Sequence, residues 1–506
     1  MTNSSSLQKS LDAIKGLNPA PVWNYFVRLS QCPRPSKKEK KAIEFLKEYA
    51  KENNFEIKVD KVGNCLIKVP ATPGYENAPT VAIQGHIDMV CEKNKTTQHD
   101  FDNDPITLLR TEDGEWIEAN GTTLGSDNGI GVCTGLALAA DKDTIHGPME
   151  LLLTIDEETG MTGVMALTPD FCTAKYLLNL DAEELGAFYV GCAGGMDTVA
   201  TFKVVEEELT NPSEYEQVSI MVGGLKGGHS GIDIHTGRGN AIKLLGRTLK
   251  YVLDDVTPEN VKVYYIEAGS KRNAIPREAW VNAYVRKDKL EAVKQRVASF
   301  EKLAYGEYSV VEPGLKISVQ PVETPTTSTK VITSELLNKL ISVIFACPHG
   351  VIQMSPVIEG LVETSTNLAI ITTRDGKIEF CTSQRSSVDS AKVYAATAVG
   401  SVFRLSGAEV KHGDGYVGWQ PNMDSPLLKL CKDVYTQKYG STPEIKAIHA
   451  GLECGLLLET YPNMHMISYG PTIVGAHSPD EKVRIADVSH TYELTKAILE
   501  AIAKQH

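Results

Sequence analysis

Four short apolar runs in this chain pass straight into acidic or imidazole side chains. VAIQGHID ends on His86 and Asp88, MELLLTIDEETG carries Glu157 and Glu158, AKYLLNLDAEE carries Asp181, and MHMISYGPTIVGAH ends on His477. A glycine-rich loop, LGSDNGIGV, adds Asp127. Runs of this length and character read as buried strands, where an unpaired charge is costly. The arrangement makes sense if one open sheet delivers all of these ends to a common edge. In α/β folds, sites form there, beyond the carboxyl ends of the strands.

At 506 residues the chain is too long for one core. Residues 1–198 alternate helical and strand-like segments. A helix is expected over 36–53, a hairpin over 55–71 turning near Gly63, and strands at 80–85, 149–155 and 175–180. The loop at 121–131 opens a helix of small residues. Short apolar runs separated by helices predict an α/β domain with a mainly parallel sheet. Beyond about 198 the texture turns β-rich, with an alternation that suits a sheet wet on one face. Segments 218–253 and 376–407 share a strand–turn–helix layout and read as two related halves of an inserted α+β lid domain. The expected organisation is therefore a discontinuous catalytic domain, 1–198 and 415–506, interrupted by a lid over 199–414.

Lys and Arg number 51 against 64 Asp and Glu, a net charge of −13 with no basic block, which argues against nucleic acid as a partner. No window offers the roughly 18–20 apolar residues that a membrane helix needs. The opening residues lack the apolar core of a secretory signal. Ten cysteines are scattered singly with no CxxC, the usage of a reducing cytosol, so a cytoplasmic setting is expected.

The strand-end residues carry a definite chemistry. His86 and Asp88 lie two apart, so on an extended chain both face one side, and Asp88 can hold one imidazole nitrogen while the other binds metal. Glu157 and Glu158 are neighbours and, on a strand, would point apart and take different jobs. One would bind metal, and the other would take a proton from a water that the metal has acidified to a pKa of about 7. Asp127 could bridge two metals about 4 Å apart, with Gly125, Gly129 and Gly131 permitting close backbone approach. Taken alone it could equally be a helix N-cap. A phosphate loop is a weaker option, since no GK[ST] follows. Two divalent ions would use all the ligands, and the set reads as a two-metal hydrolase.

In order along the chain, HID, GSDNGIG, DEETGMTG, NLDAEE, GGHSG, NAIP and GAHSPDE resemble the co-catalytic zinc exopeptidases of the carboxypeptidase G/carnosinase type. Within them the chain is most similar to the aminoacyl-histidine (cytosol non-specific) dipeptidases, over essentially its whole length. The resemblance implies two zinc ions per subunit, with manganese or cobalt able to substitute. It implies His86, Asp127 and Asp181 on one, with Asp127 bridging to Glu158 and His477 on the other. It makes Glu157 the general base, Asp88 the partner of His86, His229 the donor to the oxyanion, and Asn273 a substrate-contacting amide. A dipeptidase must also hold a free carboxylate, which wants a bidentate arginine. Arg385, expected on a turn in TSQRSS, is the candidate. Gly451 in HAGLECG would let backbone approach substrate, and His449 beside it is expected to line the pocket.

The implied activity is hydrolysis of unblocked dipeptides, including Xaa-His. The same metals would serve an N-acyl amino-acid deacylase or a tripeptide aminopeptidase. A non-catalytic scaffold would typically have lost a ligand or the base, and none is missing here. Relatives commonly dimerise through the lid, so a homodimer is expected, although a lid of two related halves could supply the second half within one chain.

Overall fold

The computed structural model describes residues 3–505. They form two compact units: the first runs to Gly191 and resumes over Trp419–Ala447 and from Leu452 onward; the second comprises Cys192–Gly418 and Ile448–Gly451.

The first unit is built on an eight-stranded sheet, in the order Glu56–Val59, Cys65–Val69, Met149–Thr154, Val81–His86, Tyr176–Asn179, His465–Ser468, Ala187–Cys192 and Glu444–Ile448. Its four central strands, from Met149–Thr154 to His465–Ser468, run parallel. The hairpin expected over 55–71 forms its antiparallel margin. Every residue of Val81–His86 and Met149–Thr154 is buried, as in parallel strands covered on both faces. The parallel register pairs His86 with Thr154 and Gln84 with Asn179, so adjacent strands end level with one another.

The helix expected over 36–53 runs only Lys40–Glu52. The four residues before it are drawn out by polar contacts: the Ser36 hydroxyl donates to Asp88, and the Glu39 carboxylate accepts from the backbone N–H of Asp156. A separate four-stranded sheet of Ile473–Val474, Lys482–Arg484, Trp116–Ala119 and Leu108–Arg110 carries the 475–481 turn.

The second unit is α+β. Its antiparallel sheet runs Lys316–Pro321, Tyr215–Gly223, Ala279–Arg286, Val261–Ala268, Val362–Arg374, Lys377–Ser386, Gly194–Lys203, Glu409–His412, with Gly350–Met354 added beside Val362–Arg374. Two βαββαβ motifs compose it. In one, Tyr215–Gly223, Val261–Ala268, Ala279–Arg286 and Lys316–Pro321 go with helices Ala241–Leu253 and Leu290–Tyr308. In the other, Gly194–Lys203, Val362–Arg374, Lys377–Ser386 and Glu409–His412 go with Ser334–Ala346 and Asp389–Leu405. Numbered within each motif, the strand order is fourth-first-third-second in the first half and its mirror image in the second. The halves meet through their second strands, at Ala268 and Ile371.

Two related halves are therefore present, but 218–253 and 376–407 are not equivalent parts of them. The first is strand one with helix one; the second is strand three with helix two. A βαββαβ motif contains two strand–helix steps, and periodicity alone does not tell them apart.

Candidate functional site

At the carboxyl edge of the central strands, five side chains gather in two sets that share Asp127. Asp127 Oδ1 lies 3.1 Å from His86 Nε2, and Asp181 Oδ1 lies 3.4 Å from the same nitrogen. Asp127 Oδ2 lies 3.2 Å from His477 Nε2, which is 3.0 Å from Glu158 Oε2. One carboxylate thus offers an oxygen to each of two imidazoles. Donor atoms of His86, Asp127 and Glu158 fall within 4.8 Å of one another, so the two sets lie close enough together for bound cations to share Asp127. Glu158 Oε1 and Asp181 Oδ1 are buried without hydrogen-bond partners, as ligand atoms are when a cation is their partner. Imidazoles and carboxylates in this mixture suit a divalent ion of the zinc, manganese or cobalt kind.

The electrostatics carry the same message. Burial pushes the His86 pKa down, but the carboxylates of Asp181, Asp127 and Asp88 more than reverse it, to well above the usual value. Hydrogen bonds to Asp127 and Glu158 raise His477 to about 11. Burial and neighbouring carboxylates raise Asp181 to about 6 against the pull of His86. Burial lifts Glu157 well above the carboxylate range, opposed by His86 and reinforced by Asp181, Glu158 and Glu453. Acids packed this closely repel one another, and a divalent cation relieves that repulsion.

Two local expectations need correction. Glu157 and Glu158 do not lie on a strand: the strand stops at Thr154, Asp156 turns at φ 52°, and the two acids open a one-turn helix, Glu157–Gly160. Asp88 organises this turn. Its Oδ1 lies 3.3 Å from His86 Nδ1 and accepts from Glu157 N–H, while Oδ2 accepts from Glu158 N–H and the Ser36 hydroxyl. Nor does His477 end a strand of the central sheet. It sits at φ 62° in the turn after Ile473–Val474, which belongs to the four-stranded sheet.

The alternatives for Asp127 are also decided locally. Asp127 sits at φ −79°, ψ 108°, outside helical geometry in the kinked start of Ser126–Ala140, and its two carboxylate oxygens lie against His86 and His477. The opening amides of this helix do form an anion-binding nest, but the occupant is Glu481. That carboxylate accepts from the N–H groups of Leu124, Gly125, Ser126 and Asp127 and from the Ser126 hydroxyl. An endogenous carboxylate thus takes the place a phosphate would need.

The sequence reading missed Glu481 and three further residues. Arg34, 1 % exposed, donates to the carbonyls of Ile87, Asp88 and Gly125 and so ties the His86 strand to the Asp127 loop. Asn128 wedges between Gly85 and Gly131, where a Cβ would come within 2.1 Å and 2.8 Å of its amide. Glu453 accepts from Gln84 and Thr154 behind the strand ends, and burial raises it to about 7. Position along a strand gave no hint of these; for Asn128 and Glu453 the neighbouring glycines were the available signal, and Glu481 and Arg34 offered none.

In the second unit, His229 lies on the two-residue strand Gly228–His229, paired with Ala274–Ile275. Its Nδ1 accepts from the N–H groups of Gly231 and Ile232, which leaves the ring proton on Nε2. Burial and the Arg385 cation lower its pKa to about 4, so it is a neutral donor at pH 7. Asn273 lines a cavity of about 600 Å³ with His229, Lys271 and Trp280, and its carbonyl accepts from Ser230 N–H. Arg385 lies within the strand Lys377–Ser386, not on a turn, because the Ser-rich stretch pairs with Gly194–Lys203 up to Ser386. It is 7 % exposed and donates to the Ser230 and Tyr416 hydroxyls. His449 bonds Ser365 through Nε2; burial, Arg385 and His229 lower it to about 3. Gly451 closes the segment Ile448–Gly451 two residues beyond His449.

A carboxylate shared between two His–acid pairs, with the half-buried Glu157 next to Glu158 in the same turn, defines a metallohydrolase class. The chain belongs to the peptidase family M20/M25/M40, whose model matches residues 82–501. It is 40% identical over 492 residues to the cytosol non-specific dipeptidase of Escherichia coli, covering 97% of this chain and 99% of that protein. Among solved structures it is similar to aminoacylhistidine dipeptidase from Vibrio alginolyticus, with a TM-score of 0.84, 42% identity and coverage of 96% and 98%. A tripeptidase from Staphylococcus aureus shares the fold at 14% identity, with a TM-score of 0.55 and coverage of 97% and 100%. Among the described residues, no helix is long and apolar enough to cross a membrane.

Proposed function

We propose that this chain is a zinc-dependent dipeptidase that hydrolyses dipeptides with a free amino end, Xaa-His among them. The observation that carries the metal chemistry is the division of Asp127 between His86 and His477. The dipeptide assignment is supported by the names of the Escherichia coli and Vibrio relatives. The Escherichia coli relative's name also supports the cytosolic setting.

His86, Asp127 and Asp181 would hold one zinc, and Asp127, Glu158 and His477 the second. Bound there, the ions would supply Lewis acidity, able to acidify a water and polarise the scissile carbonyl. Glu157, which stands outside both sets and, unlike Asp88, is not engaged with the His86 ring, takes the proton from the attacking water and returns it to the leaving amine. His229 offers Nε2–H to the negative charge that develops on the carbonyl oxygen. Arg385 offers its guanidinium to the dipeptide carboxylate, and Asn273 its amide to the substrate backbone. Gly451 allows close backbone approach.

Metal-stripped protein should be assayed on β-alanyl-histidine, alanyl-histidine, Leu-Gly and their N-acetylated forms, with and without added zinc. Zinc-restored cleavage of the free dipeptides alone is the expected result. Cleavage confined to the acetylated forms would make the protein a deacylase.

A further inference from the structure

Arg385 does not stand alone at its end of the strand. A guanidinium carries five N–H donors, and its two hydrogen-bond partners here are neutral: Ser230 Oγ at 3.3 Å from Nε and the Tyr416 phenol oxygen at 3.2 Å from Nη1. The two nearby imidazoles, His229 and His449, are both held neutral by burial and by this cation. The remaining donors of Arg385 are therefore available to an anion.

Tyr416 is fixed with unusual thoroughness for a loop residue. Its N–H donates to Gly195 O at 2.9 Å, and its carbonyl accepts from Gly195 N–H at 3.1 Å. The same carbonyl accepts from the ammonium of Lys392 at 2.5 Å, a lysine only 4 % exposed whose other partner is Asp389. Asp389 also accepts from Gly418 N–H, so the first turn of the helix Asp389–Leu405 grips this segment at two points. The ring lies directly on Gly195: a Cβ there would sit 2.6 Å from Cε1 and 2.9 Å from the hydroxyl oxygen. A Cβ at Gly415, whose φ is +72°, would meet Gly195 O at 2.4 Å. Glycines on both segments thus make the room in which this ring lies.

We propose that Tyr416 is a second carboxylate-binding residue. Its phenol oxygen accepts from Arg385, which orients the guanidinium, and its own O–H proton is left to donate to the carboxylate that the guanidinium binds. The inference rests on the reading that Arg385 takes the carboxylate end of the dipeptide.

The test compares alanyl-histidine with alanyl-histidinamide, which lacks the terminal charge, for the native chain, Arg385→Gln and Tyr416→Phe. Phenylalanine keeps the ring in its glycine cradle, and a thermal melt checks that each variant folds. Tyr416→Phe should raise KM for alanyl-histidine about tenfold at nearly unchanged kcat, the loss expected of one hydrogen bond to a charged group. KM for the amide should stay put, so the preference for the free acid shrinks by the same factor. Arg385→Gln should remove the preference altogether. If Arg385→Gln does so while Tyr416→Phe keeps the native preference, the tyrosine is structural only and the inference fails with the Arg385 reading intact. A native enzyme indifferent to the terminal charge would overturn the Arg385 reading and the tyrosine with it.

Discussion

Asp88 shows how much one buried carboxylate organises. Its two oxygens face the His86 ring, the Ser36 hydroxyl and the backbone N–H groups of Glu157 and Glu158. Burial pushes its pKa up, but His86 and these donors outweigh that and hold it at about 2. It therefore stays ionised at neutral pH and fixes both an imidazole and the turn that presents the two acids. Because the turn is helical, Glu157 and Glu158 diverge by helical geometry, and only Glu158 reaches His477, at 3.0 Å. Adjacent residues should then fail in different ways. Glu157→Gln should keep its metal and lose about 10³-fold in kcat, the scale of a missing general base. Glu158→Gln should lose metal affinity itself. Metal content after dialysis, measured beside kcat, separates the two. A Glu157→Gln protein retaining a tenth or more of native activity would remove Glu157 as the base.

At the scale of elements, the hairpin between Ile473–Val474 and Lys482–Arg484 delivers two acting residues from one seven-residue turn. His477 meets Asp127 and Glu158, while Glu481 fills the amide nest at the start of Ser126–Ala140. Both ends of Asp127 are thereby set from the same turn: its backbone by Glu481, its side chain by His477. Replacing Glu481 with Gln puts an NH₂ group among backbone donors and leaves some of them unpaired. Unfolding in urea should show a loss of about 3 kcal/mol, as when one partner of a buried charged network is removed. Metal affinity should fall with it, since Asp127 loses its backbone support. Stability within about 0.5 kcal/mol of native would mean that water satisfies the nest. This turn also marks where the sequence stops being legible. His86, Asp181 and the acids after Thr154 stand out because an apolar run ends abruptly in charge. Glu481 follows Ser-Pro-Asp and looks like any solvated acid, and its partner Ser126 is 355 residues away. Arg34, in Cys-Pro-Arg-Pro, is equally plain until the fold buries it. In the second unit the strands were readable by alternation. The mirrored strand order was not, because it depends on which edges pair.

Over the whole molecule, the donor set draws residues 86, 127, 158, 181 and 477 to one place, so metal binding and the stability of the folded chain are linked. Protons compete for the same atoms. The folded-state pKa of His477, about 11, lies above its ordinary value of 6.5, so without metal the protonated ring stabilises the fold. That contribution is complete below pH 6.5 and is lost as pH climbs towards 11. His86 is shifted in the same direction. A divalent ion needs both imidazoles neutral and must displace those protons, so its apparent affinity should drop about tenfold for each unit by which pH falls, per proton displaced. Two measurements on metal-stripped protein follow from this. Zinc should raise Tm, and by more at pH 8 than at pH 6. Calorimetric titration at pH 7 in two buffers of different ionisation enthalpy should show at least one proton released per chain on saturation. Equal heats in both buffers, with a Tm gain independent of pH, would mean that His477 and His86 are not displaced from their carboxylate pairs, and the ligand assignment would fall.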